Sequence, residues 1–170
     1  MSRRAAPRLP SVTTIAPFLI SLPTADRVRA HAFYRDGLGL DAVGELADDG
    51  VPEPLVVVVN DAARLMLIPT GGFGWVAGRA LAETGTSECL LGIVVDREGE
   101  VDEIVERARA AGATVTAEPE SKPWGYTATF ADPDGHLWTV TAGALAERAS
   151  RPADARRSLG GRPARPQPPE

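Results

Sequence analysis

A single cysteine, Cys89, is all that 170 residues contain. No intramolecular disulfide can brace the fold, and the chain suits a reducing compartment. Histidine is nearly as scarce, with only His31 and His136, so little imidazole is on hand for metal or proton chemistry. Aromatic residues make up 5% of the chain, and each one therefore needs a place. No stretch approaches the roughly 18–20 apolar residues that span a bilayer. The nearest candidate, residues 15–22 behind Arg3 and Arg4, is short and interrupted by Pro17. It reads as a strand that follows a flexible leader, residues 1–11, rather than as a secretion signal. These absences point to the cytoplasm, with no membrane partner.

What is present is an ordinary globular composition, 44% hydrophobic and 24% charged, in a chain long enough for one domain. The net charge of −5 conceals an asymmetry. Three arginines near the start and six against three acids after residue 145 leave the body between them strongly acidic. Such a body repels phosphate and argues against a nucleic-acid partner. Residues 146–170 are Arg-, Pro- and Gly-rich without apolar periodicity, the composition of a disordered tail.

Apolar periodicity orders the rest. Residues 13–22 are β-branched and apolar, ending at Pro23. Thr24 or Asp26 then caps a helix that runs to about Arg35 and stops at Asp36-Gly37. Strands follow at 41–45, 55–59 and 64–68, the last two joined by a turn at Asn60-Asp61. Residues 70–87 look like a Gly- and Thr-rich loop. Its Gly71–Gly78 stretch lacks the Lys-Ser/Thr of a phosphate loop, and suits a mobile flap that carries Phe73 and Trp75. Residues 89–95 form a second apolar strand. Val101, Ile104, Val105, Ala108 and Ala111 recur at helical spacing before Gly112. Strands at 114–117, 126–131 and 137–141 complete the pattern, with Asp132-Pro-Asp-Gly135 turning the final hairpin. The order strand, helix, three strands thus occurs twice, about 70 residues apart: an α+β fold of two tandem βαβββ modules, about 12–70 and 88–145, within one domain of residues 12–145. Such a half leaves one sheet side uncovered by helix, so mixed sheets curled around a central cleft are expected, with the cleft as ligand site.

Three segments in the right order resemble a known family. They are SLPTAD over residues 21–26 with AFYRDGLGL over 32–40, AAGAT over 110–114, and ATFADPDGHLW over 128–138. They resemble the vicinal-oxygen-chelate superfamily, which includes glyoxalases, bleomycin-resistance proteins and extradiol dioxygenases. The resemblance covers about residues 13–143. It implies a scaffold used by metal-dependent lyases, isomerases and dioxygenases, and also by metal-free proteins that bind antibiotics. It also implies a homodimer, since related proteins complete their clefts that way.

The resemblance places metal donors at four points, and here those points hold Leu19, Met66 or Leu67, Cys89 and Thr139. That set does not suit a divalent ion. His31 on the first helix and His136 beside the hairpin do not replace it, and nothing in the spacing of Glu45, Glu88 or Asp132 asks for a relocated site. Cys89 lacks a basic neighbour and reads as a small hydrophobe lining the cleft. Trp124 and Tyr126 form a second aromatic cluster suited to a planar ligand, while Phe33, Tyr34 and Trp138 belong to the core by position. The expectation is a metal-free, cofactor-free small-molecule binder whose ligand touches Leu19, Met66, Leu67, Phe73, Trp75, Cys89, Trp124, Tyr126 and Thr139. The rival is an enzyme on the same scaffold: a metal-dependent lyase, isomerase or dioxygenase with displaced ligands, or one that works without metal.

Overall fold

A computed structural model of the chain describes residues 17–81 and 89–143. The expected leader, the expected tail and residues 82–88 of the linking segment, Glu88 among them, lie outside the described residues.

The first module runs β1 (Phe18–Thr24), α1 (Arg27–Ala32), β2 (Ala42–Leu46), β3 (Pro52–Asn60) and β4 (Ala63–Pro69). After a short helix, α2 (Thr70–Ala77), the second module runs β5 (Leu90–Val95), α3 (Glu98–Ala110), β6 (Thr114–Lys122), β7 (Gly125–Ala131) and β8 (Leu137–Ala142). Each module folds into a four-stranded mixed sheet, ordered β1-β4-β3-β2 in one and β5-β8-β7-β6 in the other. This is the α+β architecture of two βαβββ units, with the first strand of each unit at a sheet edge.

Alternation along the strands decides which side of each sheet meets the helices. Leu55, Val57, Leu65 and Leu67 of the first sheet share one buried core with Phe130, Trp138 and Val140 of the second. Ala30, Phe33 and Tyr34, and Val101, Val105 and Ala108 of α3, fill that core from the helices. Phe33 meets Phe130 edge-on at 6.4 Å between ring centres, and Tyr34 lies 6.0 Å from Trp138. Phe33, Tyr34 and Trp138 are thus core residues, as their positions indicate.

Three local features depart from expectation. Pro23 does not end β1, because on an edge strand its missing N–H costs no ladder bond. The first helix changes pitch after Ala32 and finishes as a five-residue π-helical turn, Phe33–Gly37. The supposed loop at 70–77 is α2, despite three glycines. Glycine disfavours a helix by about 1 kcal/mol per residue relative to alanine, and here packing against β1 and β4 outweighs that propensity.

Candidate functional site

Each sheet keeps one side turned away from α1 and α3, and the pairing registers say what stands there. On the first sheet the open side carries Ser21, Met66, Val56 and Val43 in one cross-strand row, with Leu19, Arg64 and Val58 in the next. Ile68 continues this side toward α2, where the site of Gly72 lies 4.0 Å from the Ile68 side chain. A recess of about 390 Å³ opens here, lined by Met66, Ile68, Pro54 and Val76 among others. That volume falls in the range of small-molecule pockets, and the walls are mostly apolar.

Charge is confined to one end of the recess, where Arg27 and Glu53 stand. The Arg27 guanidinium donates to the Val51 and Pro52 carbonyls and pairs with Asp49 and, at 3.6 Å, with Glu53. Nη1 and Nη2 are thus engaged, and the cluster is net negative by one unit.

The open side of the second sheet has a different chemistry. One row runs Val94, Thr141, Thr127, Glu120; its neighbour runs Gly92, Thr139, Thr129, Ala117. Thr127 Oγ1 lies 2.8 Å from Thr141 Oγ1 and 3.2 Å from Thr139 Oγ1. Glu120 is paired with Lys122 at 2.6 Å. One sheet therefore offers hydrocarbon and the other hydroxyls.

The residues singled out in the sequence scatter over these surfaces. Leu19 and Met66 stand on the open side of the first sheet, and Thr139 on that of the second. Leu67 is buried in the core with its register partners Leu22 and Leu55, and it also borders the recess. Tyr126 faces the helix side, where its hydroxyl donates to Asp102 Oδ1 of α3 at 2.9 Å. That bond is the first cause raising its pKa above the ordinary tyrosine value. Phe73 is half-buried on α2, whereas Trp75 on the same helix is 88% exposed. Trp124 is exposed in the turn between β6 and β7, and Cys89 is exposed just ahead of β5. Sequence reasoning missed Ile68, Pro54, Val76 and the paired threonines Thr127 and Thr141. Period-two alternation from Met66 and Thr139 carries the signal for Ile68 and Thr141.

The donor set fits no divalent ion. Of the four positions where the resemblance places metal donors, two hold hydrocarbon or thioether, Leu19 and Met66. The Thr139 hydroxyl donates to Ala128 O at 3.1 Å. Among the described residues no three His, Cys, Asp or Glu side chains converge. Asp132 is held elsewhere: Oδ2 accepts from the Tyr34 hydroxyl at 2.6 Å, and Oδ1 from the backbone N–H groups of Asp134 and His136. His136 Nε2 donates to Pro23 O at 2.8 Å, which gives this histidine a structural task.

A family model described as the Glyoxalase/Bleomycin resistance protein/Dioxygenase superfamily matches residues 15–140. Among solved structures, a glyoxalase-related enzyme from Fulvimarina pelagi is 26% identical with a TM-score of 0.66, covering 78% of this chain and 89% of its own. A lactoylglutathione lyase from Agrobacterium tumefaciens is 25% identical with a TM-score of 0.54, covering 81% and 98% respectively. TnmS3, an antibiotic binding protein from Streptomyces sp. CB03234, is 23% identical with a TM-score of 0.54, covering 79% and 100%, and shares the fold. No curated protein matches the chain.

Proposed function

Because the chain belongs to the glyoxalase/bleomycin resistance protein/dioxygenase superfamily, whose scaffold carries both binders and enzymes, we propose that its own site residues decide for binding. The protein holds a hydrophobic or aromatic small molecule, an antibiotic being one instance, against the open side of the first sheet. The observation that carries this is the apolar recess around Met66 and Ile68, of about 390 Å³, standing where metal-using relatives place a charged donor. An apolar molecule leaving water for such a wall gains roughly 25 cal/mol per Å² buried, before association costs. Proteins of this fold include an antibiotic binding protein and a lactoylglutathione lyase; the fold alone does not choose between them.

The protein works as a homodimer in the cytoplasm, without metal, cofactor or nucleic acid. Support for the dimer comes from the edge strands: Phe18 and Leu19 on β1, and Leu90 and Val94 on β5, are exposed apolar residues on unpaired edges. Such edges are normally blunted by charge or covered. A second copy covers them and brings the apolar side of one protomer to the hydroxyl side of the other. Leu19, Phe73, Trp75, Cys89, Trp124 and Thr139 line the completed cleft around Met66.

The test is native mass spectrometry of protein purified from its own host, with binding of 9-methylanthracene measured by fluorescence. The expected result is a dimer with substoichiometric metal, whose affinity for the probe survives chelator and falls more than about tenfold in Met66→Glu. Stoichiometric metal that survives dialysis, or a Met66→Glu protein that is folded and binds unchanged, overturns the reading.

A further inference from the structure

The threonine hydroxyls of the second sheet have a limited number of protons, and those can be assigned one by one. Thr139 Oγ1 donates to Ala128 O at 3.1 Å. Thr127 Oγ1 donates to Val140 O at 3.0 Å. Both partners are carbonyls and can only accept. Thr141 lies 2.8 Å from Thr127 Oγ1, and its proton has that oxygen to go to. The opposite arrangement, with Thr127 donating to Thr141, leaves an O–H without acceptor on a residue only 4% exposed, the costly way to bury a hydroxyl. All three protons are therefore turned inward. What these three residues turn to the open side is lone pairs, of which those of the partly exposed Thr139 are the most accessible.

Charge around the two open sides agrees with this. Glu120, in the same row as Thr127, is balanced by Lys122, and Arg27 at the end of the apolar recess is outweighed by Asp49 and Glu53. Both clusters are neutral or net negative, and Arg64, on the open side of the first sheet, turns Nη1 to the Asn60 and Ala63 carbonyls.

We infer that the threonine row of Thr127, Thr139 and Thr141 is a fixed hydrogen-bond acceptor, so that the ligand is a planar apolar molecule with an N–H or O–H donor at its edge, a protonated amine above all, and not a carboxylate or phosphate. The inference rests on the proposed cleft, in which this row faces the apolar recess of a partner. Thr129 is the fourth hydroxyl on this side, and its proton is not committed to the row.

Three tricyclic probes of similar shape test it on the full-length protein: 9-aminoacridine, anthracene-9-carboxylate and neutral 9-methylanthracene. The expected result is that 9-aminoacridine binds at least about tenfold tighter than the carboxylate, as a charge-assisted bond to Thr139 requires. Thr139→Val, which keeps shape and removes the oxygen, brings that ratio below about threefold in a protein that still binds 9-methylanthracene. Thr139→Ser retains the preference, and Thr129→Val leaves it intact. If Thr139→Val does not fold, Thr139→Ala serves the same reading. Equal or tighter binding of the carboxylate by a protein that still binds 9-methylanthracene overturns the acceptor row and leaves the cleft standing. A preference that survives loss of the Thr139 oxygen also overturns it, because net charge alone then accounts for the selectivity. Failure of 9-methylanthracene and 9-aminoacridine alike to bind removes the cleft, and this inference with it.

Discussion

Tyr34 commits its hydroxyl to Asp132 Oδ2 at 2.6 Å, deep in the core and 98 residues away in sequence. Burial, with Asp132 beside it, holds the phenol pKa well above its ordinary value of 10. The sign for stability follows: below pH 10 the phenol is neutral in both folded and unfolded chains, and the native bond is intact. As pH rises past 10 the unfolded phenol ionises and the native one resists, so stability is lost on the alkaline side. Tyr34→Phe strips Asp132 Oδ2 of its donor and is expected to cost about 1–3 kcal/mol near neutral pH. The same change flattens the alkaline fall. Urea melts at pH 8 and pH 10.5 check both effects. The aromatic dyad Phe33-Tyr34 was legible as core from its position on an amphipathic helix. The partner of its hydroxyl was not, because no local pattern names an acceptor so distant in sequence.

Elements meet at two joints. The Asp132–Gly135 turn was legible as a hairpin from its Pro and Gly, yet its larger task is to fasten the modules together. Asp134, whose side chain is only 6% exposed, accepts from Thr24 Oγ1 at 2.7 Å, from the Ala25 backbone N–H at 3.0 Å and from Arg29 at 3.3 Å. Thr24 serves this joint, while Asp26 caps α1 by accepting from Arg29 N. Asp134→Ala is expected to destabilise by about 1–3 kcal/mol, leaving the Thr24 hydroxyl buried without its acceptor. Hydrogen exchange should rise first in the opening turn of α1. At the second joint Gly37 lets the π-helical turn approach α3 so closely that an added Cβ would stand 2.6 Å from the Ala111 Cβ. Gly37→Ala is therefore expected to cost about 1–3 kcal/mol by overpacking, read as a lower thermal midpoint. The α2 helix was hidden by its own composition, since three glycines in eight residues argue for a loop until β1 and β4 are placed against it.

At the scale of the whole molecule, some of the exposed apolar residues lie where a second copy is proposed to sit. Phe18 is 66% exposed on β1 and Leu90 56% exposed on β5, both on unpaired edges. Leu90→Glu puts a charge on that edge and is expected to shift the protein from dimer to monomer, with secondary structure unchanged. Sedimentation velocity at several concentrations checks it. A protein monomeric before the substitution would remove the paired cleft. No described helix is long and apolar enough to cross a membrane.

The duplication, the strand and helix order and the final hairpin were all written in local patterns: alternation, helical spacing and turn residues. Each of these is decided within a few neighbouring residues, which is why a linear reading recovers them. The apolar recess, the acceptor row and the Asp134 joint depend on which strands lie side by side and which way each side chain turns. A one-residue difference in parity sends Leu67 and Tyr126 to the helix side while Met66 and Thr139 face outward. Pairing between distant strands settles that parity, and only the tertiary structure contains it.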